Sequence, residues 1–196
     1  MAIITLNNRA INRSDTASAG QVFTATSATA ADFQAASGGK ILQVQSVTWD
    51  DATSSTSNGG TYAAITGATL AITPSATSSK IFFQAMITTG THTYATYIKI
   101  QRGGSNISGA LGAVSGSRIA STGYSQGGTA DDAEMQSTYI SYLDSPSSTS
   151  AVTYTLVGSA RHSSAGGWTV NYPETDTDAS YTAHCVSTIT LMEIGA

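Results

Sequence analysis

Apolar and polar residues alternate with a period of two through much of this chain, and that period restricts its fold more than any other feature. In KIFFQAMITT (80–89) the alternate residues Ile81, Phe83, Ala85 and Ile87 are apolar. In YATYIKIQR (94–102) Ile98 and Ile100 alternate with Lys99. Side chains on a β-strand point alternately to its two faces, so each stretch predicts a strand with one buried face. Both stretches are typical of half-buried strands in an antiparallel sheet.

Similar runs recur after residue 39 and predict about eight to ten strands. They begin at Lys40, Thr61, Arg118, Glu134, Ala151, Trp168 and Cys185. Glycine, proline and asparagine turn signals separate the runs. Many short antiparallel strands with frequent turns predict an all-β domain over residues 39–196, either a β-sandwich or a jelly roll.

Some of the predicted strands are apolar on both faces. Met192 and Ile194 lie opposite the main apolar face of the last strand, and Phe82 and Met86 lie opposite that of the KIFFQAMITT strand. The core of one antiparallel domain covers only one face of each sheet. We therefore expect contact with another subunit to cover the second face.

Residues 1–38 differ in character from the rest of the chain. They show little periodicity and are interpreted as an extended arm that gains its order from a neighbouring subunit. Within them, SATAADFQAAS (27–37) predicts a short helix that ends at Gly38. The arm residues expected to anchor the chain to a partner are Ile3, Ile4, Leu6, Arg9, Ile11 and Arg13.

The composition argues against two classes of partner. Only 10% of the residues are charged and the net charge is −4, whereas binding to a nucleic-acid backbone requires clustered Lys and Arg. No stretch reaches the roughly 18 consecutive apolar residues of a membrane span, and the first residues lack the pattern of a secretory signal. Ser and Thr fill about 30% of the positions, so we expect hydroxyl groups to cover the surface in place of charged side chains. We expect neither nucleic-acid binding nor membrane insertion.

No pattern of catalytic or metal-binding residues is specific. Cys185 is the single cysteine, so an intrachain disulfide and a cysteine metal cluster are excluded, and we expect a buried thiol. The three histidines lack the spacing of metal ligands, and no metal or cofactor is predicted. GYSQG (123–127) matches the serine-hydrolase elbow, but no helical pattern follows it, so no catalytic residue is predicted.

Two acidic stretches allow more than one interpretation. Glu174, Asp176 and Asp178 alternate with threonines, but the glycine and the final glutamate of a calcium-binding EF-hand loop are missing. We interpret this stretch as a solvated loop, with a cation shared between subunits as the alternative. The acidic residues of 131–134 are interpreted as a loop tip, with a glycosidase carboxylate pair as the alternative.

Aromatic residues are better candidates for recognition than these acidic groups. Several tyrosines and one tryptophan lie near predicted strand ends or in connections rich in Gly and Ser. Tyr and Trp supply contact area at a low cost in side-chain entropy. The candidate receptor-loop aromatics are Tyr124, Trp168 and Tyr172.

Several sequence blocks occur in a fixed order along residues 39–196. They are GKILQV, TGATLAITPSATSSKI, YIKIQRGGSNI, SYLDSP and TITLMEI. Together they resemble a β-domain found in virion proteins of tailed bacteriophages, often those of marine and cyanobacterial phages. The resemblance implies a jelly-roll-like, trimeric domain on the virion surface, most often at the tip of a tail fibre.

The chain departs from this fibre pattern because only 38 residues precede the domain, with no repetitive shaft and no tail-adaptor pattern. We therefore expect a non-enzymatic, homotrimeric capsid decoration, or cement, protein on the virion surface. Its partners would be the major capsid protein or other virion proteins. The alternative is a tail or head fibre tip that binds a host-surface glycan or protein, and an enzyme such as a depolymerase or esterase is a third hypothesis.

Overall fold

The computed structural model describes residues 3–6, 9–12, 21–25, 27, 31–35, 41–90, 95–126, 133–162 and 167–195. These residues form fifteen β-strands and one 3-10 turn, Ser108–Ala110, without an α-helix among them. The chain divides into two units, residues 1–39 and residues 40–196. Within the described segments, no helix is long and apolar enough to cross a membrane.

The first unit consists of two antiparallel hairpins in its described residues. In the first hairpin Ile4 pairs with Ile11, and in the second Phe23 pairs with Phe33. The strands are β1 (Ile3–Leu6), β2 (Arg9–Asn12), β3 (Gln21–Ala25) and β4 (Ala31–Ala35). The segment that we interpreted as an extended arm therefore contains two pairs of strands in its described residues.

The short helix predicted over 27–37 is wrong, because β4 occupies the centre of that segment. The rings of Phe23 and Phe33 meet edge to face across the hairpin, with their centroids 5.3 Å apart. Such cross-strand aromatic pairs contribute about 0.2–1 kcal/mol, and strand pairing satisfies the backbone groups of both segments. The helix propensity of the alanines is a weak local preference that this pairing overrides.

The second unit contains the remaining eleven strands. They are β5 (Ile41–Trp49), β6 (Thr53–Ser55), β7 (Ala63–Ile72), β8 (Lys80–Gly90), β9 (Thr96–Arg102), β10 (Ser105–Asn106), β11 (Gly123–Ser125), β12 (Met135–Asp144), β13 (Val152–Ala160), β14 (Trp168–Val170) and β15 (Ser187–Ile194). All of their pairings within the sheets are antiparallel. They form one six-stranded and one five-stranded sheet.

Strand β8 is at the centre of the six-stranded sheet. One of its edges pairs with β12 from Ile81 to Gly90. The other edge pairs with β15 from Lys80 to Met86 and with β14 at Thr89 and Gly90. Strand β5 extends the sheet beyond β15, and β6 extends it beyond β14. The four long strands therefore lie in the order β5, β15, β8, β12.

Strand β9 occupies the corresponding place in the five-stranded sheet. One edge of β9 pairs with β13, and β13 pairs in turn with β7. The other edge of β9 pairs with β10 near Arg102 and with β11 near Tyr97. The pairing of β13 with β7 shifts register between Thr155 and Val157.

The inward faces of the two sheets enclose a single apolar core. The rings of Phe83 on β8 and Tyr154 on β13 lie 6.0 Å apart between the sheets. The largest fully buried apolar side chains come from both sheets and are Trp168, Tyr154, Phe83, Ile65, Ile81, Ile87, Ile98, Ile100, Leu156, Ile189 and Leu191. The all-β prediction is confirmed, since two antiparallel sheets share one core as in a β-sandwich.

A buried carboxylate, Asp144, connects three strands of the two sheets. Its side chain is 4% exposed at the end of β12. The Arg102 guanidinium donates from Nη1 to both carboxylate oxygens, at 2.9 and 2.7 Å, and the Tyr154 hydroxyl donates to Oδ2 at 2.7 Å. Because Tyr154 is fully buried, its hydroxyl depends on Asp144 for a partner, and burial raises the pKa of Tyr154.

A second buried carboxylate, Glu193 on β15, holds the turn between β7 and β8 against β5. The Ser75 backbone N–H and hydroxyl donate to its Oε1 at 2.7 and 2.6 Å, and Gln43 Nε2 donates to Oε2 at 2.7 Å. Burial alone would raise the pKa of Glu193, but the hydrogen bonds from Ser75 and Gln43 outweigh it and lower the pKa to about 2. The group is therefore ionised at neutral pH.

Candidate functional site

The outward side of the six-stranded sheet carries rows of apolar side chains, and we call this surface the outer face. Met192 on β15 pairs with Val44 on β5 and with Phe82 on β8. Phe82 in turn pairs with Leu143 on β12. Residues in register on neighbouring strands point to the same side of a sheet. These four residues therefore form one continuous apolar row across all four long strands.

Two shorter groups extend this row along the strands. Ile194 pairs with Ile41 beside it, and Met86 pairs with Tyr139 farther along β8. The most exposed large apolar side chains of these groups are Ile41 (58%), Val44 (52%), Leu143 (45%) and Tyr139 (75%). With their half-buried neighbours they expose apolar surface on the order of 500 Å² in total, an area comparable to the largest patch on a typical monomer. Patches of this size are often functional.

The outer face is nearly free of charge. Lys80 is the only charged residue at the outward positions of β5, β15, β8 and β12. Between the apolar groups lies a polar row formed by Ser46, Thr190, Gln84 and Ser141. Hydroxyl and amide groups both donate and accept hydrogen bonds. The row can therefore form hydrogen bonds with donors or with acceptors on the surface of another subunit.

The residues that were predicted to lie opposite the main apolar face of their strands are on the outer face. Phe82, Met86, Met192 and Ile194 point away from the core, and each is only half-buried within one chain. The strand pattern alone predicted this orientation. What the pattern could not supply is their alignment with Val44 and Leu143, which depends on strand register.

The three candidate receptor-loop aromatics have different environments. Trp168 lies in strand β14 at 2% exposure and donates from Nε1 to the Ser57 hydroxyl at 3.0 Å, so its interpretation as a loop aromatic is wrong. Its ring is apolar enough to be held in the core, where one hydrogen bond satisfies the indole N–H. Tyr172 is half-buried after β14, with its ring 6.3 Å from that of His184.

Tyr124 is the candidate that remains accessible. It lies in β11, where it pairs with Tyr97 of β9, and its side chain is 57% exposed. A cavity of about 330 Å³ adjoins this pair. Its described lining residues are Ala95, Tyr97, Tyr124, Gln126 and Arg161. We call this cavity the tyrosine cleft. Nothing in the sequence predicts the pairing of Tyr97 with Tyr124, because the two residues are distant in the chain.

The serine of the GYSQG motif does not have the geometry of a nucleophile elbow. Ser125 is 1% exposed and lies in strand β11 rather than at a strand-to-helix turn. Its hydroxyl is hydrogen-bonded to the hydroxyl of Thr89. A buried serine whose hydroxyl binds another hydroxyl lacks both the exposure and the base that the elbow provides.

The acidic residues do not come together as metal ligands within the described part of the chain. Asp176 forms an exposed pair with His184, with Oδ1 and Nε2 2.9 Å apart. Over the described ranges, no group of three or more His, Cys, Asp or Glu side chains could hold a metal ion. Asp131 and Asp132 lie outside the described residues, and Glu134 is exposed.

The predicted anchor residues lie in the first unit. Ile3, Ile4 and Leu6 are in β1, and Arg9 and Ile11 are in β2. The sixth predicted residue, Arg13, lies outside the described residues. The hairpin brings five of the six onto adjacent paired strands.

Two surfaces of the second unit are therefore candidates for function, the outer face and the tyrosine cleft. They lie on different sheets, because the outer face belongs to β5, β15, β8 and β12 and the cleft adjoins β9 and β11. No protein-family model matches the chain, and no curated protein matches it in sequence.

Proposed function

We propose that this chain is a non-enzymatic structural protein of a phage virion, a capsid decoration protein that assembles as a homotrimer through the outer face. The observation that supports the proposal is the continuous apolar row of Val44, Met192, Phe82 and Leu143 on an almost uncharged sheet. The trimer, the jelly-roll connectivity and the location on a particle surface are what the resemblance of the sequence blocks to phage virion β-domains implies.

The energetics of the outer face suit assembly. Burying apolar area on the order of 500 Å² on each subunit yields roughly 12 kcal/mol per subunit at 25 cal/mol per Å². Association costs about 4–15 kcal/mol in translational, rotational and side-chain freedom. One face buried per subunit therefore gives an association of moderate strength, which additional contacts to the coat would reinforce.

The scarcity of charge also suits a particle surface. A contact made of apolar groups and hydroxyls is little affected by ionic strength, whereas exposed ion pairs are screened by salt. The first unit would then supply the attachment, with the β1–β2 hairpin that carries Ile3, Ile4, Leu6, Arg9 and Ile11 adding strand pairs to a coat subunit.

Replacing Leu143 by glutamate should convert the trimer into a monomer. The side chain is 45% exposed within one chain, so the fold tolerates the charge. In the assembly the same charge would be buried without a partner, which costs several kcal/mol. Sedimentation at micromolar concentration should give three times the 20.0 kDa chain mass for the original protein and one chain mass for Leu143→Glu.

Tyr181→Glu is the matched control, because Tyr181 is 73% exposed and lies outside the sheets. It should sediment as the original protein does. A monomeric original protein, or a Leu143→Glu variant that stays trimeric, would contradict assembly through the outer face.

The location on the particle is tested separately, by cryo-electron microscopy of virions with the protein tagged or deleted. A decoration protein should appear as hundreds of copies on the icosahedral shell. A few copies at the tail or at one vertex would favour a fibre tip instead, for which the exposed Tyr124 beside the tyrosine cleft is the supporting observation.

A further inference from the structure

We propose that the free edge of strand β5 pairs with the β5 edge of a second copy of this chain. Within the described residues β5 (Ile41–Trp49) pairs with β15 alone, so one row of its backbone N–H and C=O groups has no strand partner. No backbone hydrogen bond from a described turn or loop reaches these nine residues either. An unpaired edge of this length is a template for the addition of another strand.

The side chains of β5 show that this edge of the sandwich is open. Gln45 points to the same side of the sheet as its register partner Leu191, and Leu191 is fully buried while Gln45 is exposed. The opposite sheet therefore does not cover β5 at its centre. Ile41 and Val44, on the outer face, are also largely exposed. Both sides of β5 thus leave room for a neighbouring strand.

Strand β5 also lacks the features by which proteins protect a free strand edge. Charged residues, prolines and bulges prevent an edge from pairing with other chains. The nine residues ILQVQSVTW (41–49) contain neither a charge nor a proline. The register shift of β5 against β15 lies at its start, before Gln43, and the pairing is regular from there to Trp49. Nothing in β5 therefore opposes the addition of a strand.

The other two long edge strands are protected. In the six-stranded sheet β12 is bordered by β11, because the Gln126 N–H donates to Gln136 Oε1 at 2.6 Å and the Thr138 hydroxyl donates to the Tyr124 carbonyl at 3.5 Å. In the five-stranded sheet β7 is interrupted by Gly67, whose φ of +80° is outside the range of an extended strand. Of the long described edges, β5 is therefore the one to which a second chain can add.

A second copy of the chain is the partner that matches this edge. Antiparallel pairing about a two-fold axis at Gln45, the middle residue of β5, brings all nine residues of each strand into pairs. Gln45 then lies opposite its own counterpart, and each amide can donate to the other and accept from it. Val44 lies opposite Ser46 and Gln43 opposite Val47, so each pair joins positions on the same face. An edge that is open in one copy is open in the other, as a symmetric interface requires.

The expected pairing is weak, and it does not depend on the proposed assembly through the outer face. A single strand pair buries far less than the roughly 800 Å² per partner of a standard interface, and association costs translational and rotational freedom. Sedimentation at micromolar concentration therefore reports on the outer face alone. Pairing of β5 becomes populated where copies are held at millimolar effective concentration. On a surface crowded with copies, it would link neighbours edge to edge.

The first test is oxidative cross-linking of Gln45→Cys in a chain that also carries Cys185→Ser, since Cys185 is the single cysteine. Opposed residues of antiparallel strands have Cα atoms about 4.5–5.5 Å apart, which a disulfide can span. The dimer should form about tenfold faster or more than with Val114→Cys in the same background, because Val114 is 67% exposed but lies outside the strands. Gln45 points away from the outer face, so assembly through that face does not produce this cross-link. Equal rates for the two variants would overturn the proposal.

The second test places charges at the same position, in the Leu143→Glu background and near millimolar concentration. Leu143→Glu alone should sediment as a monomer in equilibrium with a dimer. Adding Gln45→Lys or Gln45→Glu should abolish the dimer, because like charges lie opposite each other, and an equimolar mixture of the two should restore it. Val114→Lys is the matched control and should leave the dimer unchanged. A dimer that persists with either charge, a mixture that stays monomeric, or no dimer in Leu143→Glu would each contradict pairing at Gln45.

Discussion

Replacing Asp144 by alanine should destabilise the second unit by about 3 kcal/mol, because a buried hydroxyl loses its charged acceptor and Arg102, whose side chain is 37% exposed, loses its partner. Without the carboxylate, the fully buried Tyr154 hydroxyl has lost its acceptor and the Arg102 guanidinium has lost both of its carboxylate contacts. Urea denaturation at fixed protein concentration measures the change, as a lower midpoint with an unchanged slope.

Two control variants separate the contributions to that loss. Tyr154→Phe removes one hydrogen bond to a charged group and should cost about 2 kcal/mol. Asp176→Ala breaks the exposed pair with His184 and should cost less than about 1 kcal/mol. If Asp144→Ala were no more destabilising than Asp176→Ala, the buried network would have no structural role.

The strands with one buried face could be predicted from the sequence, because the alternation of apolar and polar residues is visible within each strand by itself. In β8, Ile81, Phe83, Ala85 and Ile87 are almost completely buried, as the alternation predicted. The second hairpin could not be predicted in this way. The run of alanines in 27–37 favours a helix locally, and only the pairing of Phe33 with Phe23 distinguishes a strand from it.

The candidate sites were harder to predict, because they depend on register. Outward residues such as Met192 could be identified from the period of two, but their neighbours on other strands could not. A shift of one residue would turn each of them to the other face. The tyrosine cleft is likewise created by the pairing of β9 with β11. Trp168 is a residue type that is common at binding surfaces, but its side chain is buried in the core.

Sequence blocks that are distant in the chain meet at the two buried carboxylates. The GKILQV block supplies Gln43, the ITPS segment supplies Ser75, and the closing block supplies their common acceptor Glu193, 150 residues from Gln43. In the same way YIKIQRGG supplies Arg102 and SYLDSP supplies Asp144. Blocks that are distant in the chain thus converge on two buried carboxylates that hold the strands in register.

The Glu193 cluster should make the stability of the fold depend on pH in the acid range. The pKa of Glu193 is lowered from 4.5 to about 2, so the folded state binds the proton more weakly than the unfolded state does. The ionised group therefore contributes about 3 kcal/mol of stability above pH 5. This contribution is lost progressively as the pH falls from about 4.5 to about 2, where the carboxyl group becomes protonated in both states.

Glu193→Gln isolates this effect from the other carboxylates. The variant places an amide against the donors of Ser75 and Gln43 and should be about 3 kcal/mol less stable than the original protein at pH 7. That difference should shrink to below about 1 kcal/mol near pH 2, because the original protein has then lost the carboxylate as well. The exposed Glu134→Gln should differ little from the original protein at either pH. A Glu193→Gln difference that is as large at pH 2 as at pH 7 would show that the hydrogen bonds of Glu193 do not depend on its charge.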